Sequence, residues 1–193
     1  MHDSLPNRDQ DPVLTLYAHY FLAAELMRSN YVKLKSKFKQ HGRLSRKDTV
    51  DYGIYFCTWL GFLGVTCEGF RKLSFRLLLQ NNRPEDFREL IPKSDWIGGM
   101  IKQHADTLRE FRNNVFHLRD DIGPIERFLA NESVLLKWAE DLHTAFRDLF
   151  SGSESYVKCI TLCTIVKLRC LVSIPKFWQS YLSPKTGWPR SRF

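Results

Sequence analysis

Residues 53–67 read GIYFCTWLGFLGVTC, a stretch of fifteen residues with no charged side chain. A helix that crosses a bilayer needs about 20 consecutive apolar residues, so this stretch is too short to span a membrane. Asp51 lies just before it and Glu68 directly follows it. We therefore interpret it as a buried core helix. Gly61 and Gly64 inside it would let another helix approach closely, and a bend at these glycines is the alternative.

Apolar residues recur at steps of three and four along most of the chain, which is the spacing of amphipathic helices. A first helix follows Pro12 and ends in a basic stretch before Gly42. Ser45 is the expected N-cap of a second, long helix that contains residues 53–67. The apolar positions of the first helix are Val13, Leu16, Tyr17, Tyr20, Ala24, Met27, Tyr31, Leu34 and Phe38.

Three further helices follow in the pattern. Ser94 or Asp95 is expected to cap the third, which the Gly-Pro pair at 123–124 stops. A fourth helix leads to the linker-like stretch SGSES at 151–155, and a fifth covers roughly 156–174. Because no alternating strand pattern competes, the sequence predicts an all-α, up-and-down helical bundle of about five helices. The inward positions predicted for the fourth helix are Ile125, Phe128, Leu135, Ala139, Leu142, Phe146 and Leu149.

The chain divides on composition into a flexible N-terminus at 1–11, a bundle at 12–150, and a C-terminal helix with a basic tail at 151–193. The first residues carry no apolar signal-peptide core. The five cysteines form no CxxC pair, so we interpret them as small buried hydrophobes in a reducing compartment. A cytoplasmic location is therefore expected. The cysteines are Cys57, Cys67, Cys159, Cys163 and Cys170.

The formal net charge of +8 and the sequence pI of about 9.3 favour a polyanionic partner such as nucleic acid. Several other chemistries lack their motifs. The sequence has no GxxxxGKS/T or GxGxxG loop for a nucleotide, and its six histidines make no HExxH or zinc-finger spacing. We therefore expect neither a cofactor nor a metal.

The stretch EFRNNVFHLRDD at 110–121 interrupts an otherwise ordinary amphipathic helix with two asparagines, which are poor helix formers. On a straight helix Arg112 and His117 point about 140° apart. Three arrangements would bring them together. The helix loosens at 113–114, the long arginine reaches around, or two copies of the helix face each other across a dimer axis. We favour the dimer.

These residue types together suit one reaction. Arginine offers a planar, permanently charged fork for phosphate oxygens. Histidine side chains titrate near neutral pH and can take up or donate a proton, and asparagine can hold a phosphate or hydroxyl in place. Such a set needs no metal to cleave RNA by attack of the ribose 2′-hydroxyl. DNA lacks that hydroxyl and would be spared.

The segment RNNVFH at 112–117 resembles the hallmark of the HEPN family (higher eukaryotes and prokaryotes nucleotide-binding), which is Arg, a polar residue that is often Asn, three to five further residues, and His. CEGFRKL at 67–73 is also similar to the family, and the likeness covers roughly 12–150. The resemblance implies that Arg112 and His117 are catalytic and that Asn113 assists them. The remaining candidates, Glu68 and Asn114, are supporting residues.

The HEPN resemblance also implies a helical bundle that dimerises through the motif helices. Many members are metal-independent ribonucleases that serve as toxins of toxin–antitoxin pairs or in anti-phage defence. RNA is then the expected substrate, and a nucleotidyltransferase-like antitoxin is a possible partner. The alternative is a non-catalytic HEPN module that binds RNA, a nucleotide or a protein. In the simplest interpretation, Arg112 only pairs with Glu68 or an aspartate, and His117 is a surface histidine.

Overall fold

The uncharged stretch lies inside a 27-residue helix, Arg46–Lys72, which packs mainly against the helices Leu22–His41 and Ile91–Phe116. The computed structural model describes residues 10–117, 123, 126 and 132–151, which belong to one compact unit, Met1–Gly152. Several predicted features lie outside the described residues: the flexible N-terminus up to residue 9, Ile125 and Phe128, most of the linker-like stretch, the fifth helix and the basic tail.

The described residues are mainly α-helical. A π-helical turn, Leu16–Phe21, joins the first two helices, a 3₁₀ segment, Glu85–Leu90, precedes the fifth, and a second π-helical turn, Glu132–Leu136, precedes the sixth. The described part contains no strand, which confirms the predicted all-α helical bundle. The helices are α1 (Pro12–Thr15), α2 (Leu22–His41), α3 (Arg46–Lys72), α4 (Phe75–Asn81), α5 (Ile91–Phe116) and α6 (Lys137–Ser151).

Helix α3 has the sequence signals of a core helix, and the structure confirms them. The hydroxyl oxygen of Ser45 accepts a hydrogen bond from the amide of Asp48 at 3.1 Å, as expected for an N-cap. Trp59, Leu60 and Leu63 are completely buried at its centre. No helix within the described ranges is long and apolar enough to cross a membrane.

The first predicted helix is not continuous. The π-helical turn adds a residue to one turn of the helix, so the inward position moves from Tyr20 to Phe21. Phe21 is buried, whereas Tyr20 is 37% exposed. Phe38, another member of the predicted apolar stripe, is also exposed. The predicted stripe is therefore buried before the π-helical turn at Val13 and Leu16 and after it at Ala24 and Tyr31, but it fails at Tyr20 and at Phe38 near the end of α2.

A buried ion pair fixes the start of α1. The carboxylate of Asp11 accepts a hydrogen bond from the amide of Val13 at 2.9 Å and caps the helix. The same oxygen accepts a second hydrogen bond, at 2.6 Å, from the guanidinium of Arg83, which lies after α4. Both charged side chains are buried. The beginning of the bundle is thus tied to a turn 72 residues later.

Helix α5 begins and ends at residues other than those predicted. Ser94 and Asp95 are not its N-cap, because the 3₁₀ segment leads directly into α5 at Ile91, and Pro92 fits the first turn, where no amide is needed. The helix also ends before the predicted Gly-Pro stop. Its last residue is Phe116, after two asparagines that weaken the final turn.

A kink in α5 lies against α6. His104 has non-helical φ and ψ angles of −139° and 28°. Four residues earlier, the carbonyl of Met100 accepts a hydrogen bond at 2.9 Å from the indole of Trp138 on α6. An inserted donor of this kind is a recognised cause of helix kinks. The predicted inward positions of the fourth predicted helix that lie within the described residues are all buried: Leu135, Ala139, Leu142, Phe146 and Leu149.

Candidate functional site

The segment with the arginine and the two asparagines packs against the glycines of α3. A Cβ atom added at Gly61 would lie 2.8 Å from the ring of Phe116, and one added at Gly64 would lie 3.2 Å from the Cβ of Arg112. A side chain at Gly61 would displace the ring of Phe116, and one at Gly64 would press on the Cβ of Arg112, which is fixed to the backbone of α5. This confirms the prediction that the glycines admit a neighbouring helix. Glu68 follows Gly64 by four residues on the same face of α3, which brings it to Arg112.

Arg112 is held by two neighbouring side chains. Its Nη1 donates to the carboxylate of Glu68 at 2.6 Å, and its Nε and Nη2 donate to the side-chain oxygen of Asn113 at 3.1 and 2.5 Å. A guanidinium has five N–H donors, so two remain for a further acceptor. The side chain is 22% exposed, and a small ligand can reach it. Both interpretations of Arg112, catalytic and structural, include this pairing.

The two asparagines have different environments. Asn113 turns its carbonyl oxygen toward Arg112 and steadies the guanidinium. The amide of Asn114 instead donates to the backbone carbonyl of Glu110 at 3.0 Å, within the same helix. The structure therefore brings Asn113 and Glu68 to Arg112, but it does not bring the side chain of Asn114 there.

His117 lies where α5 ends. Its amide still donates to the carbonyl of Asn113 at 3.0 Å, but its own φ and ψ angles of −126° and 140° are extended. Because the chain leaves the helix here, the angle calculated for a straight helix does not apply to the imidazole. His117 is exposed, and no hydrogen bond or ion pair joins its ring to another described residue. The imidazole is thus accessible, next to the turn that carries Arg112.

Exposed apolar side chains lie beside this site. The rings of Phe62 and Phe116 are 5.4 Å apart, and Phe116 is 42% exposed. Farther along the outward face of α3, Val50 and Ile54 are each more than half exposed. We call Val50, Ile54, the half-buried Phe62 and Phe116 the apolar strip. It comprises three residues of α3 and the last residue of α5.

A second polar cluster lies inside the bundle, and it was not predicted from the sequence. The indole of Trp59 donates to Nδ1 of His143 at 3.1 Å, so the ring proton is on Nε2, 2.6 Å from a carboxylate oxygen of Glu25. Arg147 donates to both oxygens of the same carboxylate. The sequence gives only a weak signal for this cluster: His143 directly follows the inward-facing Leu142, and Arg147 is one helical turn later.

Burial and hydrogen bonding shift the pKa values of this cluster. Burial lowers the pKa of His143 to about 4, despite the neighbouring carboxylate. Burial by itself would raise the pKa of Glu25, but the hydrogen bonds from His143 and Arg147 together outweigh it, so the pKa is lowered. His143 is completely buried and neutral, so no substrate reaches it. The cluster serves the stability of the bundle.

The cysteines and acidic residues show no metal chemistry in the part of the chain that the structure describes. Cys57 is half-buried and Cys67 is buried, and both thiols are free. Burial raises the pKa of both thiols, so they are protonated at neutral pH. The described residues contain no group of histidine, cysteine, aspartate or glutamate side chains arranged to hold a metal ion. The other three cysteines lie outside the described residues.

Comparison of the chain with protein-family models, with curated protein sequences and with solved structures finds no significant match.

Proposed function

We propose that this protein is a HEPN-type, metal-independent endoribonuclease. The observation that carries the proposal is the arrangement at the end of α5. Arg112 is oriented by Glu68 and Asn113 and keeps two free N–H donors, and the exposed His117 follows where the helix ends. A positively charged fork and an accessible imidazole at the end of the same helix suit the cleavage of a phosphodiester.

In the proposed reaction the ribose 2′-hydroxyl attacks the adjacent phosphorus. The imidazole of His117 accepts the hydroxyl proton, the bond to the 5′-oxygen breaks, and that oxygen leaves with a proton. The products are a 2′,3′-cyclic phosphate and a 5′-hydroxyl. Arg112 stabilises the extra negative charge on the phosphate oxygens, while Glu68 and Asn113 fix its orientation.

The proposed reaction needs one proton acceptor and one proton donor, which is the chemical reason to propose a homodimer. One chain supplies a single histidine from the RNNVFH segment, whereas two copies supply two. The apolar strip adjoins His117 through Phe116, so a second copy seated on it would bring the two segments together. Dimerisation through the motif helices is part of the proposal.

Cleavage of labelled single-stranded RNA in excess EDTA tests the proposal. We expect the parent protein to cleave RNA but not DNA of the same sequence, leaving cyclic-phosphate ends. Arg112→Ala and His117→Ala should lower the rate at least 100-fold, and Glu68→Gln about tenfold, because it leaves a weaker hydrogen bond to Arg112. Arg88→Ala and His41→Ala, which change exposed residues outside the site, are the matched controls. Equal rates for all variants would refute the assignment.

A second candidate function is a binding module of the same family, which holds RNA, a nucleotide or a protein without cleavage. The observation in its favour is that three of the five N–H donors of Arg112 are already engaged within the chain. In that case the parent protein and the His117→Ala variant would bind RNA equally and cleave none.

A toxin role and a nucleotidyltransferase-like antitoxin partner stay predictions of the resemblance, and a cytoplasmic location stays a prediction from the cysteine pattern. Induced expression in a bacterial host tests the first of these. Growth arrest by the parent protein that His117→Ala abolishes would support it. Equal growth with both would contradict it.

A further inference from the structure

A furrow between α3 and α5 continues away from the candidate site. Its near part is a small cavity of about 30 Å³ that Glu68, Arg71, Ala105 and Arg109 help to line. Its far part is an open groove of about 680 Å³ that reaches α4. Arg71 lines both parts. We call the two parts together the α3–α5 furrow.

Residues of both helices border the furrow. On α5, Gly98 and Lys102 lie before the kink at His104 and line the far part, whereas Ala105 and Arg109 lie after the kink and line the near part. On α3, Gly64, Glu68 and Arg71 are separated by steps of four and three, so they share one face, and all three line the near part.

The furrow carries an excess of positive charge. Arg112 and Arg109 each have a carboxylate partner within the furrow, as does Arg76 in its far part. No described residue forms an ion pair or hydrogen bond with the side chain of Arg71 or of Lys102, and both are exposed. Because three cations are neutralised and two are not, the furrow has two positive charges available to an anion.

The far part of the furrow also leaves room for a ligand to approach the helix backbone. Gly98 and Gly99 line it, and a Cβ atom added at either position would meet no atom within 4 Å. No packing within the described chain therefore requires glycine at these positions. Glycine in a helix interior costs about 0.5–1 kcal/mol relative to alanine. A ligand that closely approaches the helix backbone would explain why glycine stands at these positions despite that cost.

Another groove, between α5 and α6, has the opposite character. Asp141 and Asp148 line it together with Trp96, which is 56% exposed, and the described residues supply one cation there, Lys137. An acidic, partly aromatic groove repels a polyanion. The two sides of α5 thus differ in charge, which singles out the α3–α5 furrow as the side for an RNA strand.

We propose that the α3–α5 furrow is the path of the single-stranded RNA substrate, with the phosphates beyond the cleaved bond contacting Arg71 and then Lys102. This inference rests on the proposed ribonuclease function, and it gives the direction in which the RNA strand leaves the site along α5. Binding then depends on backbone phosphates more than on bases, so it should be strongly salt-dependent and tolerant of sequence.

The test is a charge reversal in a non-cleaving background. A fluorescent single-stranded RNA is titrated with His117→Ala alone and with the same protein carrying Arg71→Glu and Lys102→Glu. We expect at least a tenfold loss of affinity at about 0.1 M salt. The slope of log affinity against log salt should also fall by about 1.4, which is about 0.7 for each lost phosphate contact on a single strand.

The matched control changes the charge equally elsewhere. Lys39→Glu and Arg43→Glu alter two exposed residues at the basic turn between α2 and α3. We expect this pair to change affinity less than twofold, with the salt slope unchanged. Equal losses in both double variants, or a loss in the control alone, would overturn the proposed path. All four positions are exposed, and thermal melting verifies that each variant folds.

The outcomes separate this inference from the proposed function. In a protein that retains His117, the furrow substitutions should raise the KM for RNA and leave kcat within about threefold. If the parent protein cleaves RNA in EDTA but the furrow variants bind and cleave normally, the path is wrong and the function stands. If the parent protein binds RNA through the furrow without cleaving it, the function is wrong and the path stands. No binding by the parent protein refutes both.

Discussion

Arg112 occupies a position where packing and charge act on the same side chain. Its Cβ lies against the backbone of α3 because Gly64 has no side chain, and its guanidinium meets Glu68 one helical turn later. The ion pair is partly exposed, so its contribution to stability is about 1 kcal/mol or less. Its main effect is therefore to orient the guanidinium.

The glycine contact leads to a prediction at the residue scale. A Cβ at Gly64 would lie 3.2 Å from that of Arg112, which cannot move without shifting α5. We expect Gly64→Ala to lower the free energy of unfolding by about 1–2 kcal/mol. Gly98→Ala is the control, because its added Cβ meets open space. This substitution should raise the free energy of unfolding by about 0.5–1 kcal/mol. Urea denaturation measures both, and equal or greater stability of Gly64→Ala would contradict the packing argument.

His143 gives a prediction about pH. Its pKa is about 4 in the folded protein and about 6.5 in an unfolded chain, so between these values only the unfolded chain takes up the proton. Stability should therefore fall as the pH falls from about 6.5 to about 4. The loss should reach about 2 kcal/mol by pH 5. Glu25, whose pKa is also lowered, adds a loss in the same direction below its ordinary value.

Chemical denaturation at pH 7.5 and pH 5 measures this effect. His143→Gln lacks the titrating ring, and its stability should change less between the two pH values. The NMR chemical shifts of the ring give a second measurement that does not depend on the variant folding well. A ring that becomes protonated near pH 6 in the folded protein would show that burial does not hold it neutral.

At the scale of the elements, α5 is attached to α6 through its kink. Trp138 donates to the carbonyl of Met100 and packs edge-on against His104. Trp138→Phe keeps the aromatic packing but removes the donor, so we expect stability to fall by about 1–2 kcal/mol. Trp96→Phe, at an exposed position, should change it by less than about 0.5 kcal/mol. Similar effects of both substitutions in urea denaturation would show that the indole hydrogen bond is not important.

The helices could be predicted because the spacing of apolar residues shows which face of each helix is buried. The core of α3, the N-cap at Ser45 and the inward face of α6 follow from local patterns. The π-helical turn at Leu16–Phe21 was not predictable, since a single added residue leaves the composition unchanged. The early end of α5 depends on backbone conformation at His117, which no nearby glycine or proline indicates.

Only some contacts of the polar side chains could be predicted from the sequence. The pairing of Arg112 with Glu68 could be predicted, because both residues stood out in their helices. The contacts between Glu25 and His143 could not, because 118 residues separate them and only the tertiary structure brings them together. The position of Asn114 was also beyond reach, since adjacent asparagines look alike in sequence but point differently.

At the scale of the whole molecule, the apolar strip predicts the oligomeric state. Ile54 is 55% exposed in the middle of the strip. We expect the parent protein to sediment as a dimer, and Ile54→Asp, which puts a charge in the proposed interface, to sediment as a monomer with little RNA cleavage. Leu26→Asp is the matched control, because Leu26 is equally exposed on α2. A monomeric parent protein, or a dimer that Ile54→Asp leaves intact, would contradict dimerisation through this strip.

The buried bond between Asp11 and Arg83 has a consequence for folding order and for truncation. A guanidinium left in an apolar interior without its carboxylate is destabilising by about 3–5 kcal/mol, so shortened versions that start after residue 11 should be poorly folded. The contact also cannot form until the segment after α4 is in place. During synthesis, the ion pair that fixes the start of α1 can therefore form only after Arg83 has been made.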